Sequence, residues 1–196
     1  MEVKNENPVK HLTGKKVHKL VEAYFELNHL KQLYRQGWLT HSDMAKEKCE
    51  SVADHSFATA LTAYFIADEF FPELNVDKVL KLALIHDLGE VYAGDITPYM
   101  GVSKQEKTAK ERNAVREIFS KLSKGKEYLE LWEEHEANST PEAKFVKQVD
   151  GLEMALQASV YHHQGIKVRE TFYEKAREKV SDPKLVKILD ELGLPR

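Results

Sequence analysis

The segment LALIHDLGE, residues 82–90, places His86 directly before Asp87 at the end of an apolar stretch. A ring nitrogen and a carboxylate oxygen side by side can both bind one divalent ion. Adjacent residues of a helix point about 100° apart, so the pair can share an ion only if the ion lies between the two side chains or if the helix ends there. Gly89 indicates that it ends. Taken alone, the dipeptide is more often a helix end with a hydrogen-bonded histidine.

Asp150 lies in the segment FVKQVDGLEMALQA, with Val146 four residues before it and Met154 four residues after it. This helical spacing places the carboxylate on a strip that is at least partly buried. A buried carboxylate is costly unless it is paired, protonated or bound to a metal ion. An ion pair with Lys147 or a helix cap remains the alternative.

His55 lies in the first turn of a predicted helix whose apolar lining includes Leu61 and Phe65. A lone histidine in such a place is more often a hydrogen-bonded core residue than a ligand. Together, however, three segments supply two imidazoles and two carboxylates, those of His55, His86, Asp87 and Asp150. Mixed nitrogen and oxygen ligands suit Co, Mn, Fe, Ni or Zn and leave coordination positions open for water. The sequence therefore predicts a site for one divalent transition-metal ion.

Helical spacing of apolar residues dominates the chain, and no segment of four or more residues alternates as a strand would. An N-terminal amphipathic helix is predicted to end near Gln36 and Gly37; its apolar residues are Leu20, Tyr24, Leu27 and Leu30. Capping signals predict further helices from Ser51 to about Phe70, from Asn75 to His86, from Ser103 to Phe119 or Leu122, from Thr140 to about His162, and after Asp182. About seven helices joined by short loops predict an all-α bundle.

The composition fits one globular domain, because 196 residues, 42% hydrophobic and 31% charged, are enough to bury a substantial core. A net charge of −3 offers no broad electrostatic surface for a nucleic acid polymer or an anionic membrane. No run of about 18 apolar residues is present, and the N-terminus lacks the apolar stretch of a secretory signal. The single cysteine, Cys49, cannot form an internal disulfide, which favours a cytoplasmic location.

The order His, His-Asp, Asp, with spacings of 31 residues (86 − 55) and 63 residues (150 − 87), resembles the HD-domain superfamily of metal-dependent phosphohydrolases. The blocks SVADHSFATA, HDLGEVYAGDITP and FVKQVDGLEMALQA are similar to its 5′-deoxynucleotidase branch. The resemblance implies one helical domain over residues 1–196, with a metal-binding core at about 33–161 and flanking helices at 1–32 and 162–196. It also implies a homodimer, one divalent ion on the four residues above, and hydrolysis of 2′-deoxynucleoside 5′-monophosphates.

The same resemblance assigns roles to residues around the predicted metal. Glu90, in the HD-x-x-E pattern, corresponds to a catalytic carboxylate that exchanges a proton with water or with the leaving group. Asp95 is expected to contact the sugar, and with Glu90 and Ile96 it could hold a second ion such as Mg²⁺. In LYRQGWLT, Arg35 is expected to orient the phosphate, and Trp38 is expected to pack against the base or sugar. Without the resemblance, Asp95 is typical of a turn, and Trp38 is equally a core residue.

Two polar segments are expected at the surface. The adjacent residues His162 and His163 follow the segment FVKQVDGLEMALQA and are expected to be surface residues. The Lys-rich stretch KQEKTAKER, residues 104–112, is expected to be a solvated helix face. If this stretch lines the cleft, it could instead attract a nucleotide phosphate.

Two other functions remain open at this point. An HD-type phosphodiesterase or a guanosine-tetraphosphate pyrophosphohydrolase would use the same four ligands on a different leaving group. A non-catalytic helical interaction module would keep the ion for stability alone. Glu90 argues against the module, because a structural metal site needs no carboxylate beside an open coordination position. The segments GDITP and LYRQGW favour the monophosphate branch, by resemblance.

Overall fold

The computed structural model describes residues 1–192. Its helices are α1 (Lys19–Leu27), α2 (Gln36–His41), α3 (Val52–Phe70), α4 (Val76–Ile85), α5 (Glu90–Ala93), α6 (Lys104–Phe119), α7 (Gly125–Ala137), α8 (Pro141–His163), α9 (Thr171–Lys179) and α10 (Pro183–Glu191). Short 3₁₀ turns cover Pro8–Leu12, Asn28–Lys31, Lys46–Lys48 and Pro98–Met100. Over residues 1–192 the only β-type pairings are three isolated bridges, and no helix has the length and apolar character to cross a membrane. The predicted all-α bundle is confirmed.

Local capping signals start the long helices where the sequence predicts. Ser51 and Ser103 each form a capping box with the acidic residue three positions later, at the starts of α3 and α6. Thr140 accepts a hydrogen bond from the backbone N–H of Ala143, and Pro141 occupies the first turn of α8. These starts are predictable because each cap involves only residues close together in sequence.

The N-terminal helix is shorter than predicted. α1 ends at Leu27, and Gln36 begins α2 instead of ending a helix. Between them the 3₁₀ turn Asn28–Lys31 is followed by bridge residues at Leu33 and Tyr34, and the backbone N–H of Val52 donates to the carbonyl of Leu33 over 3.0 Å. Apolar periodicity did not reveal this break because the hydrogen bond joins segments that are distant in sequence.

The buried face of α3 carries small side chains, whereas the sequence predicts large ones there. Ala60, Ala63 and Ala67 are buried, but Leu61 and Phe65 are exposed. Small residues allow α3 to pack closely against α4 and α8, its principal neighbours. The predicted lining of this helix by Leu61 and Phe65 is therefore wrong.

Helix α7 was not predicted, and α9 lies within 162–196, where the resemblance implies flanking helices without giving their individual bounds. Neither begins with a side-chain cap, so neither has the local signal that reveals the others. α7 buries Trp132 completely, and α9 packs on α8 and buries Phe172 and Tyr173. Tertiary packing stabilises them, as it does most helices of this length.

Two adjoining apolar clusters form the core. The larger joins α3, α4, α8, α9 and α10, and the smaller surrounds Trp132. His55 and Asp150 project from helices of the larger cluster, while Leu88, in the turn between α4 and α5, and Val91, in α5, belong to the smaller one. The predicted site lies where the two clusters meet.

Candidate active site and metal centre

The predicted metal ligands come from three helices that pack against one another. His55 is in the first turn of α3, Asp150 is near the middle of α8, and His86 and Asp87 directly follow Ile85, the last residue of α4. Because α4 ends there, the two neighbouring side chains can converge: Nε2 of His86 lies 3.3 Å from Oδ2 of Asp87. The predicted helix end at this pair is confirmed.

The four ligand groups face one point. Nε2 of His55 lies 3.4 Å from Nε2 of His86, 3.6 Å from Oδ2 of Asp87 and 3.3 Å from Oδ1 of Asp150. Three of the four, His55, His86 and Asp150, offer ligand atoms that all lie within 4.8 Å of one another. Two ligand atoms bound at about 2.1 Å to a tetrahedral ion are about 3.4 Å apart, so the spacing fits one transition-metal ion.

The hydrogen bonds around these groups also point to a cation. Nδ1 of His86 lies 2.7 Å from the carbonyl oxygen of Ala83. A carbonyl only accepts, so the neutral ring carries its proton on Nδ1 and presents the lone pair of Nε2 to the cluster. Oδ2 of Asp87 is buried and has no hydrogen-bond partner among residues 1–192. A buried acceptor of this kind is costly unless a cation lies beside it, and a divalent ion would satisfy both atoms.

The pKa values of the cluster show how strongly it favours positive charge. Burial and Arg35 favour the neutral ring of His55, but hydrogen bonds with Asp150 and Glu153 outweigh them and raise its pKa to about 10. Burial alone would raise the pKa of Asp87, yet the nearby ring of His86 brings it below its ordinary value. Both shifts are in the direction that favours a positive charge between the imidazoles and the carboxylates.

Glu90 lies beside the metal cluster, although not on the helix of His86. It begins α5 after a non-helical turn, and its side chain is 1% exposed. Oε1 lies 3.5 Å from Nζ of Lys107, while Oε2 is buried and finds no hydrogen-bond partner in the part of the chain that the structure describes. Burial, together with the charges of Asp87 and Asp95, raises the pKa of Glu90 well above its ordinary value. This is the direction in which burial and neighbouring negative charges move the pKa of a carboxyl group.

Gly89 allows helix α6 to approach the turn that carries Glu90. A Cβ atom added to Gly89 would lie 2.5 Å from Cβ of Glu111, a separation that packed atoms do not adopt. The absence of a side chain at this position brings Lys107 and Glu111 of α6 next to the site; their own ion pair spans 3.4 Å.

Arg35 and Asp95 contact each other at the cavity. Nη1 of Arg35 lies 3.4 Å from Oδ1 of Asp95 and 3.6 Å from Oδ2 of Asp87. The other oxygen of Asp95 accepts a hydrogen bond from the backbone N–H of Gln36 over 2.6 Å. This arrangement holds the guanidinium of Arg35 within reach of the predicted metal ligands, where a phosphate bound to the ion would lie.

Trp38 is a core residue and a cavity residue at once. Only 2% of it is exposed, its ring stacks on Phe172 with centroids 4.1 Å apart, and its Nε1–H donates to Glu50 over 2.7 Å. Trp38 nevertheless lines the cavity, as does Phe172. Both sequence interpretations of this residue are thus compatible with its position.

A cavity of about 610 Å³ opens at the cluster. Most of the predicted site residues line it, namely Arg35, Trp38, Asp87, Glu90, Asp95, Ile96 and Asp150. The histidines His55 and His86 lie behind this wall and are buried. A volume between about 300 and 1,000 Å³ is typical of small-molecule sites.

Much of the outer cavity wall was not predicted. Lys175 and Lys179 come from α9, outside the predicted metal-binding core, and Nζ of Lys179 lies 3.0 Å from Oδ2 of Asp150. Lys107 comes from the Lys-rich stretch on α6 and lines the cavity as well. For Lys107 the basic composition of that stretch was a signal, whereas nothing local marked α9. The histidines His162 and His163 are exposed, as predicted.

Two buried residues contact the histidine ligands and were also missed. Oε2 of Glu153 lies 2.6 Å from Nδ1 of His55. The ring of His135 lies 5.8 Å, between centroids, from that of His86, and burial with the charge of His86 lowers the pKa of His135 to about 3. The spacing D-x-x-E from Asp150 to Glu153 places both on one face of α8 and could have revealed Glu153. No comparable signal marks His135.

Comparison with known proteins agrees with this geometry. The sequence profile described as HD domain matches residues 27–191. The 5′-deoxynucleotidase HDDC2 of Bos taurus is 37% identical over 194 residues, covering 97% of this chain and 92% of the relative. The 5′-deoxynucleotidase hdd1 of Schizosaccharomyces pombe is 40% identical over 141 residues, covering 69% and 68%.

Solved structures share the fold as well. The PH0347 protein of Pyrococcus horikoshii OT3 is 32% identical and superimposes with a TM-score of 0.74, covering 88% of this chain and 98% of that one. A protein of Magnetospirillum magnetotacticum MS-1, described as a predicted metal-dependent phosphohydrolase, is 26% identical with a TM-score of 0.63, covering 89% and 93%. With the histidine and aspartate cluster in place and the profile matched over most of the chain, this protein belongs to the HD domain family.

Proposed function

We propose that this protein is a metal-dependent phosphomonoesterase that hydrolyses 2′-deoxynucleoside 5′-monophosphates to deoxynucleosides and phosphate. The observation that carries the proposal is the convergence of two imidazoles and two carboxylates at one end of a cavity that also contains Arg35 and Glu90. The substrate class comes from the relatives, which are named 5′-deoxynucleotidases in animals and in yeasts.

In this proposal His55, His86, Asp87 and Asp150 hold one divalent ion, of Co, Mn, Fe, Ni or Zn. Such an ion supplies Lewis-acid activation of the phosphate and of the attacking water. Arg35 binds phosphate oxygens through its guanidinium, which Asp95 already orients. Water adds to phosphorus, the P–O5′ bond breaks, and phosphate and the deoxynucleoside are the products.

Glu90 handles the proton in this reaction. Its carboxyl group is buried beside Asp87, and Lys107 orients one of its oxygens. It can take a proton from the attacking water or deliver one to the leaving O5′ oxygen. Since the cavity wall includes both Glu90 and Asp87, this proton transfer would occur next to the bound ion.

The sugar and base are assigned to the remaining predicted residues. Asp95, 6% exposed and at the cavity wall, would accept a hydrogen bond from the sugar. Trp38, supported by Phe172, would form the apolar wall for the base or sugar. A second ion such as Mg²⁺ would bind to Glu90, Asp95 and the carbonyl of Ile96. We expect it to bind only at high Mg²⁺ concentration, because Lys107 already pairs with Glu90 and Arg35 with Asp95.

The decisive experiment is phosphate release from a panel of deoxynucleoside and ribonucleoside 5′-monophosphates, each assayed with Co²⁺, Mn²⁺, Fe²⁺, Ni²⁺ and Zn²⁺. We expect release from the deoxynucleotides with at least one of these ions and none after chelation. Bis-p-nitrophenyl phosphate, a cyclic dinucleotide and guanosine tetraphosphate serve as comparison substrates and should stay intact. Asp190→Ala, at an exposed ion pair with Arg177, is a control that should keep full activity.

Two results would replace the proposal. Cleavage of a phosphodiester or of guanosine tetraphosphate without monophosphatase activity would favour the other HD-type hydrolases. Stoichiometric metal binding without hydrolysis of any substrate would favour an interaction module that keeps its ion for stability.

We also propose that the protein is a cytoplasmic homodimer. Cytoplasmic location is favoured by the single cysteine, Cys49, which is buried and unpaired. The dimer is supported by the outer face of α3, where Phe57, Leu61 and Phe65 follow each other at four-residue intervals and are 62%, 37% and 58% exposed. Sedimentation equilibrium should give twice the chain mass, and Phe65→Glu should give the monomer mass.

A further inference from the structure

Glu153 is a buried carboxylate to which the proposed chemistry assigns no role. It lies on α8 one helical turn after Asp150, and only 3% of it is exposed. Oε2 lies 2.6 Å from Nδ1 of His55, the shortest contact that this histidine makes within residues 1–192. Burying a carboxylate is unfavourable unless a partner compensates, so this contact is a specific one.

The two ring nitrogens of His55 face different surroundings. Nε2 faces the ligand cluster, 3.3 Å from Oδ1 of Asp150 and 3.4 Å from Nε2 of His86. Nδ1 faces away from the cluster, towards Glu153. A nitrogen that binds a metal ion must present a lone pair, and a neutral imidazole carries its one N–H on the other nitrogen. Binding through Nε2 therefore requires an acceptor at Nδ1.

His86 also has an acceptor for its Nδ1–H, but that acceptor is a backbone carbonyl. Its Nδ1 donates to the carbonyl oxygen of Ala83 over 2.7 Å, within its own helix end. His55 is in the first turn of α3, so its Nδ1 is satisfied from another helix, α8. The acceptor there carries a full negative charge, which a backbone carbonyl does not.

We propose that Glu153 is a positioning residue that holds His55 in the Nδ1–H form and at the ring angle in which Nε2 faces the divalent ion. Its charge also makes the ring a stronger ligand, as a carboxylate behind a metal-binding histidine generally does. Since Asp150 and Glu153 share one face of α8, the same helix supplies a ligand and the group that orients another ligand. The inference rests on the metal centre of the proposed function.

The competing explanation is a buried ion pair that stabilises the bundle and has no effect on metal binding. The two explanations differ in the metal affinity of variants that fold. Glu153→Leu removes the acceptor and leaves either an unsatisfied Nδ1–H or a ring that has moved its proton to Nε2. Glu153→Gln removes the charge but keeps an amide oxygen that can accept from Nδ1.

The test uses the full chain, stripped of metal and titrated with Co²⁺ by calorimetry, while the visible absorption of Co²⁺ reports its coordination. For Glu153→Leu we expect a Co²⁺ affinity weaker by about 10- to 100-fold, with an altered absorption spectrum. Glu153→Gln should lose less and keep the spectrum. Glu142→Gln is the matched control: this carboxylate is also on α8, but it pairs with Lys78 over 3.2 Å, away from the cluster.

A Co²⁺ affinity of Glu153→Leu equal to that of the wild type, with only a lower melting temperature of the metal-free form, would overturn the inference. If Glu153→Leu does not fold, Glu153→Asp decides, because its carboxylate is one methylene too short to reach His55; wild-type Co²⁺ affinity there overturns the inference too. A wild-type chain that binds no Co²⁺ would overturn both this inference and the metal centre. If Co²⁺ affinity depends on Glu153 but the wild type hydrolyses no monophosphate, this inference is supported and the proposed function is contradicted.

Discussion

The inner and outer ends of the cavity are built in different ways. The inner end consists of the side chains of His55, His86, Asp87 and Asp150. Four pairs of their nitrogen and oxygen atoms are 3.3 to 3.6 Å apart. At the outer end, the ring of His41 lies 4.2 Å from that of Tyr99, and Nζ of Lys175 lies 4.2 Å above the same tyrosine ring. Tyr99 is 55% exposed, whereas His55 is 1% exposed.

This difference teaches which part of the site tolerates change. Only a few residue types can bind a transition metal, and each must reach one point, so the inner end has little freedom. The outer end needs only shape, charge and aromatic surface, which many side chains can supply. We therefore expect variants to have effects that fall from the inner end to the outer end.

The largest effect is expected at the ligands themselves. His55→Ala or Asp150→Ala should remove the bound ion and reduce phosphate release to background, because each deletes a ligand from a mixed set. The ion joins three helices, so chelation of the wild type should also lower its melting temperature. Elemental analysis and thermal unfolding measure both. Stoichiometric metal with normal turnover in Asp150→Ala would contradict the assignment.

A smaller loss is expected at Glu90, which lines the same cavity as Asp87 and Asp150 but is not one of the four predicted ligands. Glu90→Gln keeps size but loses basicity, and proton transfer by a placed side chain typically supplies about 10²- to 10⁴-fold in rate. The variant should lose that much in kcat and retain its metal and its KM. Glu111→Gln is the control, because it also pairs with Lys107 but lies on α6. A wild-type kcat in Glu90→Gln would contradict both roles proposed for Glu90, proton transfer and binding of a second ion.

Partial recovery of Glu90→Gln by high Mg²⁺ would sharpen the result. It would favour a second ion over proton transfer, since added metal can compensate for weakened ligation but not for a missing base. No recovery would assign Glu90 to the proton alone.

Gly89→Ala tests the packing that joins the inner end to α6. The added Cβ would meet Cβ of Glu111 at 2.5 Å, so the turn or the helix must shift. Overpacking of this kind costs about 1 to 3 kcal/mol in the free energy of unfolding, measured by urea titration. Gly37→Ala is the control, because its Cβ would meet the ring of Phe172 at an ordinary 3.5 Å. Equal stability of the two variants would show that the close approach at Gly89 is unimportant.

The smallest effect is expected at the outer end. Lys175→Ala removes a cation that lies over the exposed ring of Tyr99. Lys175 lines the cavity, and an exposed cation interacting with a bound nucleotide contributes about 0.5 to 1 kcal/mol, so KM should rise by about 2- to 5-fold with kcat unchanged. Steady-state kinetics with a deoxynucleotide measures it, and Lys124→Ala, away from the cavity, is the control. A large fall in kcat in Lys175→Ala would contradict the graded comparison.

Features that depend on neighbours in sequence were predictable. The caps at Ser51, Ser103 and Thr140 form as expected, because each hydrogen bond spans three residues. The cluster of His55, His86, Asp87 and Asp150, the predicted metal ligands, was predictable for a different reason. Its residue types are rare in apolar surroundings, and burial without a partner is costly, so their presence demands an explanation.

Features that depend on distant segments were not predictable in the same way. The predicted N-terminal helix is interrupted because Leu33 pairs with Val52, and no local pattern announces that hydrogen bond. Large apolar residues on α3 were expected inside, yet close packing against α4 selects alanines there and leaves Phe65 outside. Helix α9, which has no side-chain cap within residues 1–192, was expected only as part of the flanking helices at 162–196, and its cavity lysines were not predicted.

The sequence by itself thus determined the helical class, five of the ten α-helix starts within residues 1–192, and the four residues that converge on one point. The tertiary structure decided what surrounds them: Glu153 behind His55, Lys107 beside Glu90, and the wall supplied by α9. The physical reason is the distance along the sequence over which each interaction acts. Caps and periodicity act over one or two turns of helix, whereas these contacts arise only when packing of the two apolar clusters brings α3, α6, α8 and α9 together.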